Sequence, residues 1–439
     1  MAVQCHNTTP HVRLHLLVVG AGLAGLAAAI SARLEGHEVT VLEKAAELTE
    51  VGAGLQVTPN ATRLFKRWGI FEQLEACAAV PETLTVRRYD GTRVLAHEPH
   101  FQKLLLNRYG APFWDLHRAD LQAAMVARAR ALGVRICTGA EVVEIDVERA
   151  AATLRNGAVV NGDVILAADG LWSLSRSIFS QRAAGPQPTG DLAYRILLDV
   201  QDISDPELVE WIANPSVNFW VGPHSHVVAY SLRRGTLFNL VLLTPDDLPD
   251  NVARAPGNLE ELKALFGRWD PILTRFLSHV RSVDKWRLMH FPELESWVHP
   301  EGKFIMAGDA CHPMLPYLAQ GANSSLEDGA VLGRLLGKIK SRDELPKVCA
   351  TYQRLRKHRV SKIVHEAFKQ RDAFHMPDGP AQEARDAVFA ASLEAEPKSG
   401  FPSRWTCPTV QSWLYGYDAV AEADMSWQES RAHTTEEKL

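Results

Sequence analysis

His15-Leu-Leu-Val-Val-Gly20-Ala-Gly-Leu-Ala-Gly25 is an apolar run closed by three glycines in the spacing G-x-G-x-x-G, and its reading decides the fold. Residues 15–19 read as a buried parallel strand, residues 23–34 as a helix, and Glu38-Val-Thr-Val-Leu42 as a second strand ending at Glu43. In such a unit Gly20 permits the tight turn, Gly22 lets a pyrophosphate approach the backbone, and Gly25 lets helix and strand pack closely. The helix N-terminus then faces the phosphates. Glu43 stands where a carboxylate accepts hydrogen bonds from a ribose and repels a 2′-phosphate, which favours FAD or NAD over NADP as the tightly held nucleotide. Alone, the turn serves any of these dinucleotides, or none.

Working outward, 439 residues at 46% hydrophobic and 23% charged describe a globular chain large enough for two closely joined domains. A formal charge of -5 gives no reason to expect nucleic acid or an anionic membrane surface, so the expected partner is a small molecule. The six cysteines form no C-x-x-C pair, which points away from a zinc site or a disulfide framework and toward a reducing, cytoplasmic setting. Residues 14–30 are apolar enough to imitate a signal peptide or a membrane span, but the nucleotide-binding glycines explain them better, and no other run is long enough to span. The chain is expected to be a monomer or homodimer.

A second segment narrows the nucleotide. Gly308-Asp309-Ala310-Cys311-His312-Pro313 follows an apolar strand and leads to Gln320-Gly321-Ala322-Asn323 at the start of a helix reaching about residue 336. It has a companion in Asp169-Gly170-Leu-Trp-Ser173-Leu-Ser-Arg176, a strand ending in an Asp-Gly turn with Ser173 as the cap of the next helix. Two such strands put Asp169 and Asp309 near the C-terminal edge of one sheet, where ligands bind. Glu50-Val-Gly-Ala-Gly-Leu-Gln56 is a loop whose glycines suit a backbone folded against something flat. Arg118 opens a helix against the macrodipole, so a solvated surface charge and an anion-binding role compete evenly for it.

Residues 83–106 alternate in the manner of a sheet with a turn at Asp90-Gly91, and residues 192–200, 217–221, 226–232 and 237–243 read as further strands. On a strand His226 and Tyr230, four apart, share a face with Val228 between them, so both reach one ligand. Ordinary cross-strand packing is the competing reading for that pair, and a solvated side chain is the competing reading for Arg195. Cys311 and His312 are not read as metal ligands. Residues 343–372 read as a long helix and structural brace.

The dinucleotide glycines ending in Glu43, the D-G-x-x-S-x-x-R pattern from Asp169 to Arg176 and the G-D-A-x-H-P-x-x-P pattern from Gly308 to Pro316 occur here in one order. In that respect the chain resembles the single-component FAD-dependent aromatic hydroxylases (class A flavoprotein monooxygenases), in their fungal salicylate hydroxylase-like branch, from about residue 14 to 420. The resemblance implies an α/β fold with a Rossmann-like FAD-binding domain from residues 11–84, 112–190 and 285–340. It further implies an inserted β-sheet substrate domain from 85–111 and 191–284; residues 341–427 read as a C-terminal helical brace and residues 428–439 as a disordered tail. By the same resemblance Glu43 binds the AMP ribose, Gly54, Gln56 and Arg118 line the flavin, and Asp309 holds the ribityl chain. Asp169 lies near both dinucleotides, and the backbone N–H groups of Gly321, Ala322 and Asn323 meet the flavin N1/C2=O edge.

The implied chemistry is reduction of FAD by NADH or NADPH, capture of O2 as a flavin C4a-hydroperoxide, and transfer of one oxygen to an activated ring. No second Rossmann unit is visible for nicotinamide, in keeping with a transient reductant. Arg195, His226, Tyr230 and Tyr317 are the implied catalytic group, with His226 suited to take a phenolic proton near neutral pH. Tyr317 stands where bacterial salicylate hydroxylases tend to carry histidine, and is expected to turn its phenol group toward the ring. A flavin dehydrogenase or oxidase, an epoxidase, or a protein that binds FAD without catalysis are the rival readings at this point.

Overall fold

The computed structural model describes residues 12–48, 54–180, 185–393 and 401–436, with side chains to residue 430. The first glycine of the Glu50–Gln56 loop, Gly52, therefore lies outside the described residues.

The apolar runs at the ends of the glycine motifs become the strands of one parallel sheet. Its order is Phe304–Met306, Val164–Ala167, His15–Val19, Glu38–Leu42, Arg135–Cys137, all four pairings parallel. Such a sheet is covered on both faces, which is why strands His15–Val19, Val164–Ala167 and Phe304–Met306 read as continuous apolar stretches. Helix Leu23–Leu34 follows the first strand, and helix Gln320–Leu336 lies against it so closely that a Cβ on Gly329 would stand 2.4 Å from the Ala28 nitrogen, and one on Gly333 2.3 Å from Ser31 Cβ. Two glycines thus fix the spacing of the helices that carry the two ligand-facing turns. A three-stranded antiparallel sheet, Val142–Asp146, Ala151–Leu154 and Val159–Asn161, flanks this layer.

The second large sheet has eight strands among the described residues, in the order Arg254–Pro256, Asp284–His290, Gln187–Asp199, Leu237–Pro245, Ser225–Leu232, Ser216–Gly222, Thr83–Arg88, Val94–Glu98. Alternation along its strands separates two cores. Ala193, Val217, Phe219, Tyr230 and Leu243 face the cavity side, whereas Leu192, Tyr194, Trp220, Val227, Ala229 and Leu242 pack under helices Pro206–Ala213, Leu259–Phe266 and Pro271–Ser278. Period-two patterning is what lets one sheet serve as both the floor of a site and the roof of a separate core.

In its elements the structure differs from the sequence reading in two places and extends it in a third. Residues 101–109 are helical, Phe101–Tyr109, where alternation pointed to sheet: buried Phe101 and Leu105 are four apart, a helical spacing that a short window does not separate from alternation. The chain read as disordered from residue 428 is helical as far as Glu436, in Ala419–Glu436, because Ala419, Ala423 and Trp427 form one apolar face against the parallel-sheet core. Helix Leu345–Phe374 is present as expected, but its C-terminal end reaches the second sheet.

A buried ionic cluster joins the layers. Arg359 meets Glu327 at 2.8 Å, Arg356 bridges Glu327 and Asp328 at 2.7 Å each, and His312 meets Asp328 at 2.6 Å. Asp328 also accepts the Gly308 N–H at 2.9 Å, and Arg359 donates to the carbonyls of Trp413 and Leu414. Burial alone would raise the pKa of Glu327, but the Arg359 and Arg356 charges reverse this and hold it below its ordinary value. His312 is thus committed to holding the Gly308 turn in place, and Cys311 Sγ points to the Gly308 carbonyl.

Candidate active site

One continuous cavity, about 1490 Å³ with its open mouth included, runs between the two sheets from Gly22, Leu23 and Ala24 to Gly321, Ala322 and Ser325. At the first end Gly20 has φ +105° and donates its N–H to the Leu42 carbonyl at 2.8 Å; a Cβ there would stand 2.4 Å from the Ala168 oxygen. A Cβ on Gly25 would meet the Gly20 oxygen at 2.1 Å, whereas one on Gly22 would meet nothing within 4 Å. Gly20 and Gly25 are therefore required by packing, and Gly22 by the open ground it leaves before a helix N-terminus that has no side-chain cap. Glu43 is fixed beside this turn, accepting the Ala21 N–H at 2.8 Å and the Ala45 N–H at 2.9 Å.

At the other end helix Gln320–Leu336 begins after Ala319 (φ +52°), again without a side-chain cap. Gly321 and Ala322 line the cavity, and the first N–H groups of this helix have no intrahelical partner. Asn323 does not reach the cavity. Its buried side chain accepts the Thr58 N–H at 3.0 Å and donates to the Gln56 carbonyl at 3.0 Å, tying strand Gly54–Val57 to the helix start. Gln56 turns its amide to Asp115 at 3.0 Å, and Gly54 donates to Asn239 at 2.9 Å. A Cβ on Gly54 would stand 2.7 Å from Tyr230 Oη, so the loop strand passes directly under the second sheet.

Asp309 is exposed and lines the cavity midway. Asp169 does not line it; its carboxylate accepts the Ser173 hydroxyl at 2.6 Å and the Ser175 N–H at 3.0 Å. Arg176 from the same motif donates to the Asp309 and Ala310 carbonyls at 3.3 and 3.2 Å. The D-G-x-x-S-x-x-R pattern therefore props the Asp309 turn, and Gly170 is its member at the cavity wall.

The roof comes from the eight-stranded sheet: Arg195 and Ala193, His226, Val228 and Tyr230, Val241 and Leu243. His226 and Tyr230 do share one face, with Val228 between them. Arg118 at the opening of helix Arg118–Ala131 also lines the cavity. Arg195 lies over the Trp286 ring at 4.9 Å; the protein packed around it, and then the Arg118 charge, lower its pKa although the side chain stays accessible. Two guanidinium groups near one another favour an anion between them.

Burial holds His226 neutral, well below the ordinary imidazole value, with the neighbouring His375 acting in the same direction. Burial likewise raises the Tyr230 phenol, with Asp115 adding to it, so Tyr230 remains a neutral donor. The Tyr317 ring lines the cavity, but its hydroxyl turns away to Asp191 at 2.6 Å, not toward the ring position expected from sequence. Burial raises the Asp191 carboxyl more than Tyr317 and Arg371 lower it.

Sequence reasoning missed Phe219, Trp405 and His375. Phe219 and Trp405 supply aromatic wall, with ring centroids 5.3 Å apart, and Trp405 donates to the Tyr317 carbonyl at 3.0 Å. His375 Nε2 lies 2.7 Å from His226 Nδ1 across 149 residues of sequence. The aromatic tract at residues 405–417 was a visible signal for Trp405; nothing local marks His375.

Residues 13–367 match the FAD binding domain family. The chain is 59% identical over 414 residues to the FAD-dependent monooxygenase OpS4 of Beauveria bassiana, covering 94% of this chain and 96% of that protein. It is 32% identical over 423 residues to the 3-amino-4-hydroxybenzoate 2-monooxygenase PtnB3 of Streptomyces platensis, covering 93% and 98%. In fold it resembles a salicylate hydroxylase substrate complex with a TM-score of 0.77 at 23% identity, over 94% of this chain and 98% of that one.

Proposed function

This chain belongs to the FAD binding domain family and, within it, to the FAD-dependent monooxygenases, and from that premise we propose that it hydroxylates a phenolic or other electron-rich aromatic small molecule. NADH or NADPH is the transient reductant in this reading and O2 the oxygen donor. The observation that carries it is the cavity roof, where one neutral imidazole, one neutral phenol and a guanidinium converge among aromatic walls, opposite a helix N-terminus.

The residues fit FAD. Gly22 leaves room for a pyrophosphate, Glu43 stands at a ribose position, exposed Asp309 suits the hydroxyls of a ribityl chain, and Gly321 and Ala322 offer N–H groups to an electron-rich ring edge. Bound FAD supplies the redox chemistry that activates oxygen. The protein's own task is to orient the aromatic ring and raise its nucleophilicity. His226, uncharged at working pH, takes the phenolic proton; Tyr230 donates a hydrogen bond to the resulting oxyanion; Arg195 with Arg118 compensates its charge or that of a ring carboxylate. Phe219, Trp405 and the Tyr317 ring form the slot that keeps the aromatic plane in place and water out.

The amino-hydroxybenzoate acted on by the Streptomyces relative is a phenol bearing a carboxylate, the chemistry this pair of arginines would accept. A cytoplasmic setting is part of the proposal, supported by free Cys77, Cys137, Cys311, Cys349 and Cys407; no helix among the described residues is long and apolar enough to cross a membrane. The test is a panel of phenols and phenolic acids scored with NADH and with NADPH for stimulated oxidation and for product mass. A product one oxygen heavier is expected. Stimulated oxidation that yields only peroxide with every phenol would favour the oxidase reading instead.

A further inference from the structure

His226 is sealed within the second sheet except toward the cavity and toward the end of helix Leu345–Phe374. That helix end delivers Phe374 against the His226 ring at 5.5 Å and His375 to its Nδ1 at 2.7 Å, a hydrogen-bond distance. His226 Nε2 has no hydrogen bond among the described residues and is the ring nitrogen left for the cavity. His375 Nδ1 likewise has none, and His375 is only half-buried. The four ring nitrogens therefore offer one route from the cavity through His226 and His375 to the half-buried outer side of His375. We propose that His375 is a relay and positioning residue, and that the two imidazoles carry the hydroxyl proton of a phenolic substrate out of the cavity and return one when product leaves. This rests on the reading of His226 as the group that takes that proton.

The step balances without a redox partner. With His226 protonated on Nδ1 and donating to His375 Nε2, the substrate O–H bond breaks and its proton forms an N–H bond at His226 Nε2. The Nδ1 proton of His226 passes to His375 Nε2, and the Nδ1 proton of His375 passes to water. Both rings end neutral with exchanged tautomers, and a phenolate remains between Tyr230 and Arg195. Reverse passage protonates the product oxygen and restores the tautomers, so neither ring has to flip between turnovers. The surroundings suit uncharged rings. Burial, then Arg371 and His224, push His375 down to about 3, and the His224 N–H holds the His375 carbonyl at 3.0 Å. The Tyr317 ring packs against His375 at 5.6 Å, and the nearby carboxylate Asp191 is engaged by the Tyr317 hydroxyl at 2.6 Å, with Arg371 3.8 Å away. A charged imidazolium is thereby avoided at every stage, which is the condition for passing a proton through two buried rings.

The probe is 4-nitrocatechol, a phenol whose ionised form absorbs visible light, mixed anaerobically with the FAD-loaded enzyme in a stopped-flow instrument, in a buffer acidic enough to keep the free probe neutral. Wild type should ionise it on binding. His375→Gln, which can still hydrogen-bond His226, should retain FAD absorbance and the same final extent of ionisation, but reach it about 100-fold more slowly. Added imidazole should restore part of the rate. His375→Phe, which preserves the ring packing on Tyr317, should behave in the same way. Unchanged rates in both His375 variants overturn the relay while leaving His226 as the base. An unchanged rate in His226→Ala, or a wild-type enzyme that leaves the probe neutral, overturns the reading on which the relay rests.

Discussion

At the residue scale the site divides its work between two uncharged groups on one strand face and two cations beside them. His226→Ala and Tyr230→Phe should keep bound FAD yet lower product formation by about 100-fold or more, because each removes a proton-handling group without touching the cofactor end. Asp309→Ala should instead lose FAD, which flavin absorbance after gel filtration checks; retention of full flavin would contradict the assignment. The pH dependence of stability follows from the same histidines. In the folded chain His226 is held well below the ordinary 6.5, and His375 at about 3, so an unfolded chain binds more protons across that interval. Stability is therefore complete above about pH 6.5 and falls as pH drops toward 3. Thermal melts from pH 7 to pH 5 should decline, and His375→Phe should flatten the decline; an unaltered slope would contradict the buried neutral pair.

Among elements, the two uncapped helix starts set the ends of the cavity, and their spacing depends on the glycine contact between them. Gly329→Ala places a methyl about where the Ala27 and Ala28 backbone already lies, so it should cost about 1–3 kcal/mol and weaken FAD retention together with it. Removing one side of the buried cluster, as in Arg356→Met, leaves Asp328 and Glu327 short of a partner and should cost about 3–5 kcal/mol. Denaturant melts measure both. These elements also mark how far the sequence was legible. Continuous apolar strands, G-x-G-x-x-G and period-two alternation are local signals, so helix Leu23–Leu34, strand Glu38–Leu42 and the shared face of His226 and Tyr230 could all be read directly. Which hydrogen bond a polar side chain makes is not local. Asn323 spends its side-chain amide on the strand below it and Tyr317 its hydroxyl on Asp191, and each depends on residues that only the fold brings near, whereas the Asp169 bond to Ser173 stays within its own motif. The His226 and His375 contact is the same case across 149 residues of sequence, and helix Phe101–Tyr109 was missed for a different reason, a short apolar spacing common to both periods.

For the whole molecule, the cavity runs between the parallel sheet and the eight-stranded sheet, the C-terminal helices pack against both cores, and in the proposed reading the dinucleotide lies along the C-terminal edge of the first sheet with its reacting end under the second. The expected Rossmann-like FAD domain, the second sheet and the membership of the FAD-dependent monooxygenases agree at this scale. The helical brace does more than brace: Trp405 and the end of Leu345–Phe374 complete the wall of the cavity. The central claim is oxygen transfer to an aromatic ring, and it is tested most directly by turnover of a phenol from the panel under labelled O2 in unlabelled water. Mass spectrometry should find one labelled oxygen in the product for each equivalent of NAD(P)H coupled to hydroxylation; a product whose new oxygen comes from water, or reductant consumed with no oxygenated product, would contradict the account.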